Sequence, residues 1–294
     1  SATRVNSQGL IEDVQILSSN LVTNGDFSQE GSEQITNGDF SQEGAEQITN
    51  GSFDTDTNWT KGTGWSISGG SANCDGTQSA NAALVQQNGI KGAIIDFVVG
   101  KTYKVNFDIV VTSGNITNIE VANGYDGSNI TTSGNHTTYI TAVSTNDRLT
   151  ITGNPDFTGS IDNVSVKEVG QDWTFTSGAT LTALGAKITH TPTAGSVSQP
   201  SVLTIGKSYK LTYEITESVS GGLKFNSAVN ASMVTTVGVH TKYLEADATA
   251  ASFSRTNSSN NDVTITNISV KEVGQDWTLG TGWSIGEDKA TIDN

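Results

Sequence analysis

The feature that most restricts this chain is that it repeats itself. Val166-Lys-Glu-Val-Gly-Gln-Asp-Trp-Thr174 recurs unchanged from Val270 to Thr278, 104 positions later. His136-Thr-Thr-Tyr-Ile-Thr-Ala142 is answered at the same spacing by His240-Thr-Lys-Tyr-Leu-Glu-Ala246. Gly100-Lys-Thr-Tyr-Lys-Val-Asn-Phe-Asp-Ile109 is answered by Gly206-Lys-Ser-Tyr-Lys-Leu-Thr-Tyr-Glu-Ile215. Self-similarity on this scale means one folding unit built more than once. The spacing predicts modules over 46–169 and 170–273. Asp276-Trp-Thr-Leu-Gly-Thr-Gly-Trp-Ser-Ile285 repeats the segment from Asn58 to Ile67 and predicts the start of a third module over 274–294. So short a segment cannot bury a core alone. Either the chain continues beyond Asn294, which needs no special mechanism, or a neighbouring chain completes it.

Within a module, bulky and β-branched residues alternate with polar ones, and clusters of Gly, Asn, Asp and Ser separate the runs. Tyr103-Lys-Val-Asn-Phe-Asp-Ile109 is apolar at every second position, and no sustained 3.6-residue period competes with it. The predicted fold is all-β, with tandem antiparallel jelly-roll β-sandwiches preceded by a short-repeat, β-rich N-terminal segment. Only Gly170-Gln171-Asp172 separates the two copies, so the modules are expected to stack semi-rigidly.

Residues 1–45 read as a connector. Val22-Thr-Asn-Gly-Asp-Phe27 returns at Ile35–Phe40 and again at Ile48–Phe53, a period of 13 residues. Each unit carries one large aliphatic and one Phe, too little for a core of its own. The reading is therefore that Phe27, Phe40 and Ile35 pack between sister chains and drive oligomerisation, with a flexible tether as the alternative.

With 15 basic against 30 acidic residues the net charge is −15, which repels nucleic acid and anionic membranes. The longest apolar run, around Ala93–Val99, is interrupted by Asp96 and is far below the roughly 20 residues of a spanning helix. Membrane insertion is not expected. One cysteine and three scattered histidines match no zinc spacing. The first residues show no secretion signal, so one was removed, lies outside this sequence or was never needed.

Candidate sites are few. Trp59, Trp65 and Tyr125 are the rings considered for sugar stacking, although the repeat-equivalent placement of the tryptophans favours packing. Tyr139 is a further candidate. Asp54-Thr-Asp56-Thr-Asn58 places oxygen ligands at alternate positions, a spacing that suits a hard cation. A solvated turn explains the same residues. His136 and His240 are duplicated, as a structural residue would be. Glu214 and Glu217 fall on opposite faces of a strand. No nucleophile elbow, phosphate loop or zinc-protease motif is present, so no enzymatic activity is expected.

The run Asn20-Leu-Val-Thr-Asn-Gly-Asp-Phe27, with Trp59, Gly64-Trp65 and the closing Ile161-Asp-Asn-Val-Ser-Val166, resembles the jelly-roll carbohydrate-binding modules of the family four and family nine type. The second copy lacks its own Thr-Asn-Gly-Asp-Phe opening and has Thr266-Asn267 in place of Asp162-Asn163. The resemblance implies a structural calcium that would bring Asp54 or Asp56 near Asp162; no other cofactor is called for. The opening Ala2-Thr-Arg-Val-Asn-Ser-Gln-Gly-Leu-Ile-Glu12 is similar to connector segments in virion appendage proteins of tailed phages. That similarity implies a non-enzymatic structural protein of a virion surface: a fibre, tail or capsid appendage. Its partners would be copies of itself, as a trimer, other virion proteins and host-surface glycans. The alternatives are a secreted or cell-surface carbohydrate-binding protein and a bacterial extracellular filament or surface-layer subunit.

Overall fold

The computed structural model describes residues 2–14, 21–176, 178–190, 195–229, 232–256 and 260–292, and every regular element among them is a β-strand. Parts of the connector (residues 1 and 15–20, including Asn20) and the last two residues of the third unit lie outside this set.

The period-2 pattern becomes burial. Along Thr102–Ser113, Tyr103, Val105, Phe107 and Ile109 are buried while Lys104, Asn106 and Asp108 face outward. In the first module this strand lies at the centre of a sheet ordered Gly134–Thr141, Thr102–Ser113, Thr158–Val169, Ser71–Asp75, Trp65–Ser68. A second sheet, ordered Gly124–Tyr125, Ile116–Val121, Arg148–Gly153, Ala82–Gln87, Thr60–Lys61, faces it. Successive chain segments cross between the two sheets, the jelly-roll pattern, and enclose one apolar core.

The second module repeats the plan. One sheet runs Ala179–Thr182, Gly185–Thr189, Asp262–Val273, Ser208–Ser220, Gly238–Glu245, and the other Thr174–Phe175, Ser196–Gln199, Ala251–Arg255, Leu223–Phe225. The closing strands of both modules bulge where Asn163 (φ 51°) and Asn267 (φ 49°) turn left-handed, a conformation asparagine tolerates better than most residues.

The modules meet closely. Val169, the last residue of the first closing strand, is buried in the second core, and Tyr139 packs against it. The third unit is the hairpin Trp283–Gly286/Lys289–Ile292.

The apolar residues of the 13-residue segment do not need a sister chain for burial, which corrects the premise of that reading. Ile35 and Phe40 are buried in the second module of their own chain, and Ile48 and Phe53 in the first. No unit has a core of its own, as expected. The missing consideration is that the modules are themselves incomplete: Glu43–Glu46 adds a strand to Thr158–Val169, and Glu30–Glu33 adds the equivalent strand to Asp262–Val273. The N-terminal segment is thus a strap running back along the modules, and the second sandwich includes residues far outside 170–273.

Candidate functional site

The most highly specified site in the molecule is the seat of this strap, built the same way twice. Glu46 faces Lys167 and Glu43 faces Val169; Glu33 faces Lys271 and Glu30 faces Val273. The backbone continues the match, with Gln47 N–H donating to Val166 O and Gln34 N–H to Val270 O, both at 2.9 Å.

A buried glutamine from the opposite sheet grips the next turn of each unit. Gln86 accepts from Thr49 N at 2.9 Å and donates to Thr49 O at 2.7 Å. Gln199 does the same to Thr36, at 2.9 Å both ways. An amide side chain here completes the hydrogen bonding of a strand that no backbone reaches. The strap thereby ties the two sheets of each sandwich together.

An aromatic clasp closes the unit, and it occurs three times. Phe53 packs on Trp59, Phe40 on Trp173 and Phe27 on Trp277, with ring centroids 5.0, 5.1 and 5.0 Å apart. Each indole N–H donates to an asparagine carbonyl of its unit: Trp59 to Asn50, Trp173 to Asn37, Trp277 to Asn24. Both Asn and Phe of every unit have positive φ, for example 51° at Asn37 and 59° at Phe40. A left-handed Phe costs about 1–2 kcal/mol, which the ring pair offsets; the pairs Phe53–Trp59 and Phe40–Trp173 are buried, whereas Trp277 in the third is 37% exposed.

Charge finishes the seat. Glu43 lies between Lys104 at 2.7 Å and Lys167 at 2.9 Å, and Glu30 lies between Lys210 and Lys271. Hydrogen bonds from Lys210 and then Lys271 hold Glu30 below the ordinary value of 4.5, and those from Lys104 and Lys167 do the same for Glu43. A depressed carboxylate stabilises the folded state above its unfolded pKa, and the contribution is lost as pH falls through the folded value. The strap should therefore loosen in acid below about pH 4.5. Proton titration followed by NMR of the strap amides checks this, and Lys210→Met should flatten the response at the second module. These pairs are part-exposed, so the effect is modest.

The sequence-predicted sugar contacts fare unequally. Trp59 and Trp65 are buried, 0% and 6% exposed, and cannot meet a sugar ring; Trp65 instead packs on Phe157 and donates to Ala82 O. Tyr125 is 63% exposed at a sheet edge, while Tyr139 is held at the junction. The carboxylates proposed for calcium are engaged separately. Asp56 pairs with Lys61, Asp54 accepts from Ser52 and Asp162 from Asn163 N. No group of three or more acidic, His or Cys side chains suited to a metal occurs among the described residues, so these residues do not fit the ion. A chelator should leave the thermal midpoint unchanged in calorimetry.

His136 and His240 bond to Thr132 O and Thr236 O respectively, equivalent structural roles. Glu214 accepts from Asn267, whereas Glu217 pairs with Lys187, so they serve separate partners. Repeat-equivalent grooves of about 360 and 780 Å³ open beside Tyr139 and Tyr243, where the following unit's hairpin leans on the preceding sheet.

Sequence reasoning missed Gln86, Gln199 and the Glu–Lys contacts. The available signal was complementary absence: the second copy lacks an opening segment, and spare openings stand at the N-terminus.

Among solved structures, the chain is similar to the N-terminal CBM22-1–CBM22-2 tandem domain of Xyn10C from Paenibacillus barcinonensis. The match has 9% sequence identity and a TM-score of 0.29, and covers 79% of this chain and 98% of that one. No family model matches the chain, and no curated protein does.

Proposed function

We propose that this chain is a non-enzymatic structural segment of a surface appendage, in which sandwiches strung in tandem are clasped by a strap. The observation that carries this reading is the triple recurrence of one clasp, Phe53–Trp59, Phe40–Trp173 and Phe27–Trp277. Repetition of a structural joint is what a string of domains under tension requires. The similarity of residues 2–12 to phage appendage connectors supports a virion surface as the setting, with other virion proteins as neighbours. Antibody against the chain should label intact virions. Label confined to a cell surface or culture medium would sink this setting and favour the extracellular carbohydrate-binding alternative.

Glycan recognition is a second reading, favoured by the exposed ring of Tyr125. An aromatic face in water at the rim of a sandwich is suited to the apolar side of a pyranose. On a glycan array, Tyr125→Ala should abolish any binding the native chain shows while leaving the thermal midpoint in place.

A further inference from the structure

The strap units are nearly interchangeable, and so are their seats. Glu30–Phe40 and Glu43–Phe53 differ only at Ser32/Ala45 and Asp39/Ser52, and all four of these side chains are exposed. The residues that dock are the same. Opposite them, Ser165-Val-Lys-Glu-Val169 matches Ser269-Val-Lys-Glu-Val273, and Gln86 matches Gln199. Lys104 matches Lys210. The strand pairing, the glutamine grip, the aromatic clasp and the Glu–Lys pairs are common to both seats, which differ at Phe175, touched by Phe40 in the second, and at Asp96, whose N–H donates to Gln47 in the first. The covalent tether is the main determinant of which unit sits where: unit Glu43–Phe53 runs directly into Trp59 of its own sandwich, while unit Glu30–Phe40 reaches a sandwich whose first residue follows it by more than a hundred positions.

We propose that the seat on the second sandwich is a docking groove for the peptide Glu-Gly-Ser-Glu-Gln-Ile-Thr-Asn-Gly-Asp-Phe, and that it accepts this unit from a second copy of the same chain as well as from its own. The mode is β-strand addition along Asp262–Val273, with Phe as the anchor against Trp173. Exchange leaves every contact intact, so its balance is set by effective concentration. Only Ser41 and Gln42 separate the unit from the docked segment that begins at Glu43, so the chain's own unit is held at an effective concentration of roughly millimolar or above. The native strap therefore wins in dilute solution, and exchange follows when straps open together in crowded chains. Identical elements traded between protomers are a low-cost route to joined copies. Two copies joined in this way would extend an appendage without a new interface.

The test uses the full chain. Phe40→Ala with Ile35→Ala should release the unit, and a fluorescein-labelled synthetic peptide of the native Glu30–Phe40 sequence should then bind the vacated chain once. Binding to the native chain should be at least about 10-fold weaker, and a scrambled peptide should not bind. In parallel, native chain unfolded in urea and refolded at increasing concentration should shift by light scattering from single to double mass, and excess peptide should suppress the shift. This second arm stands even if the double variant fails to fold. A folded variant that ignores the peptide overturns the proposal, and so does native chain that refolds as a monomer at every concentration. Peptide binding without concentration-dependent dimers also overturns it, because the groove would then not take the unit from another chain. Neither arm involves a virion or a glycan, so these outcomes are separate from those of the proposed function.

Discussion

Phe40→Ala should lower the stability of the second sandwich by about 3–5 kcal/mol and leave the first where it was. Phe40 is only 5% exposed and touches both Trp173 and Phe175, with centroids 5.1 and 6.1 Å away. It stands six residues before position 46, the bound of the first module predicted from the repeats, and would, on chain position alone, be assigned to a tail whose truncation is harmless. The left-handed backbone at this position is as strained for alanine as for phenylalanine, so the loss reports packing rather than relief of strain. Scanning calorimetry of the full chain should show the transition assigned to the second sandwich move downward. Phe53→Ala should move the other transition, since Phe53 packs on Trp59. An unchanged thermogram for Phe40→Ala would mean that the strap does not belong to the second core.

The sandwiches were legible because their information is local. Tyr103, Val105, Phe107 and Ile109 alternate with polar residues and are buried, as a strand with one wet face demands. The duplication then gave the module count without any three-dimensional reasoning. The strap was half legible. Its period and its apolar positions stand in the sequence, and so does the gap in the second copy. What pairs them is a contact between Glu30–Glu33 and Lys271–Val273 across some 240 positions, and periodicity carries no information about partners at that separation. The tryptophans show the same limit. Composition offers five rings, but whether a ring faces sugar or core depends on the strand opposite, and Phe53 and Phe157 cover Trp59 and Trp65 respectively. The spacing of the alternate carboxylates likewise carries no information about their partners, and in the structure Lys61 pairs with Asp56.

Glycine substitutions in the strap should separate main-chain contacts from side-chain contacts more sharply than any other set. A Cβ on Gly38 would lie 1.9 Å from the carbonyl oxygen of Ile268, and one on Gly51 1.9 Å from that of Val164. In both cases the obstacle is backbone, held by the hydrogen bond from Ile268 N to Gly38 O or from Val164 N to Gly51 O, each 2.9 Å. Neither glycine has a left-handed φ, so close approach rather than backbone freedom demands it. Gly38→Ala must therefore push the unit off the closing strand, and with it go the Gln199 grip and the Phe40 clasp. The expected cost is about 3 kcal/mol or more, beyond the usual range for an added methyl because the main chain cannot rotate aside. Gly44 provides the control within the same strap. A Cβ there would meet Gln171 Nε2 at 3.0 Å, Glu168 Cβ at 3.3 Å and the Glu168 carbonyl oxygen at 3.5 Å; the nearest is the movable end of a side chain and the backbone atom is at ordinary van der Waals distance. Gly44→Ala should change stability by no more than about 0.5 kcal/mol. Urea unfolding of the full chain followed by Trp fluorescence compares the two. Equal losses for Gly38→Ala and Gly44→Ala would show that the strap senses glycine as flexible chain, not as the point where two backbones touch.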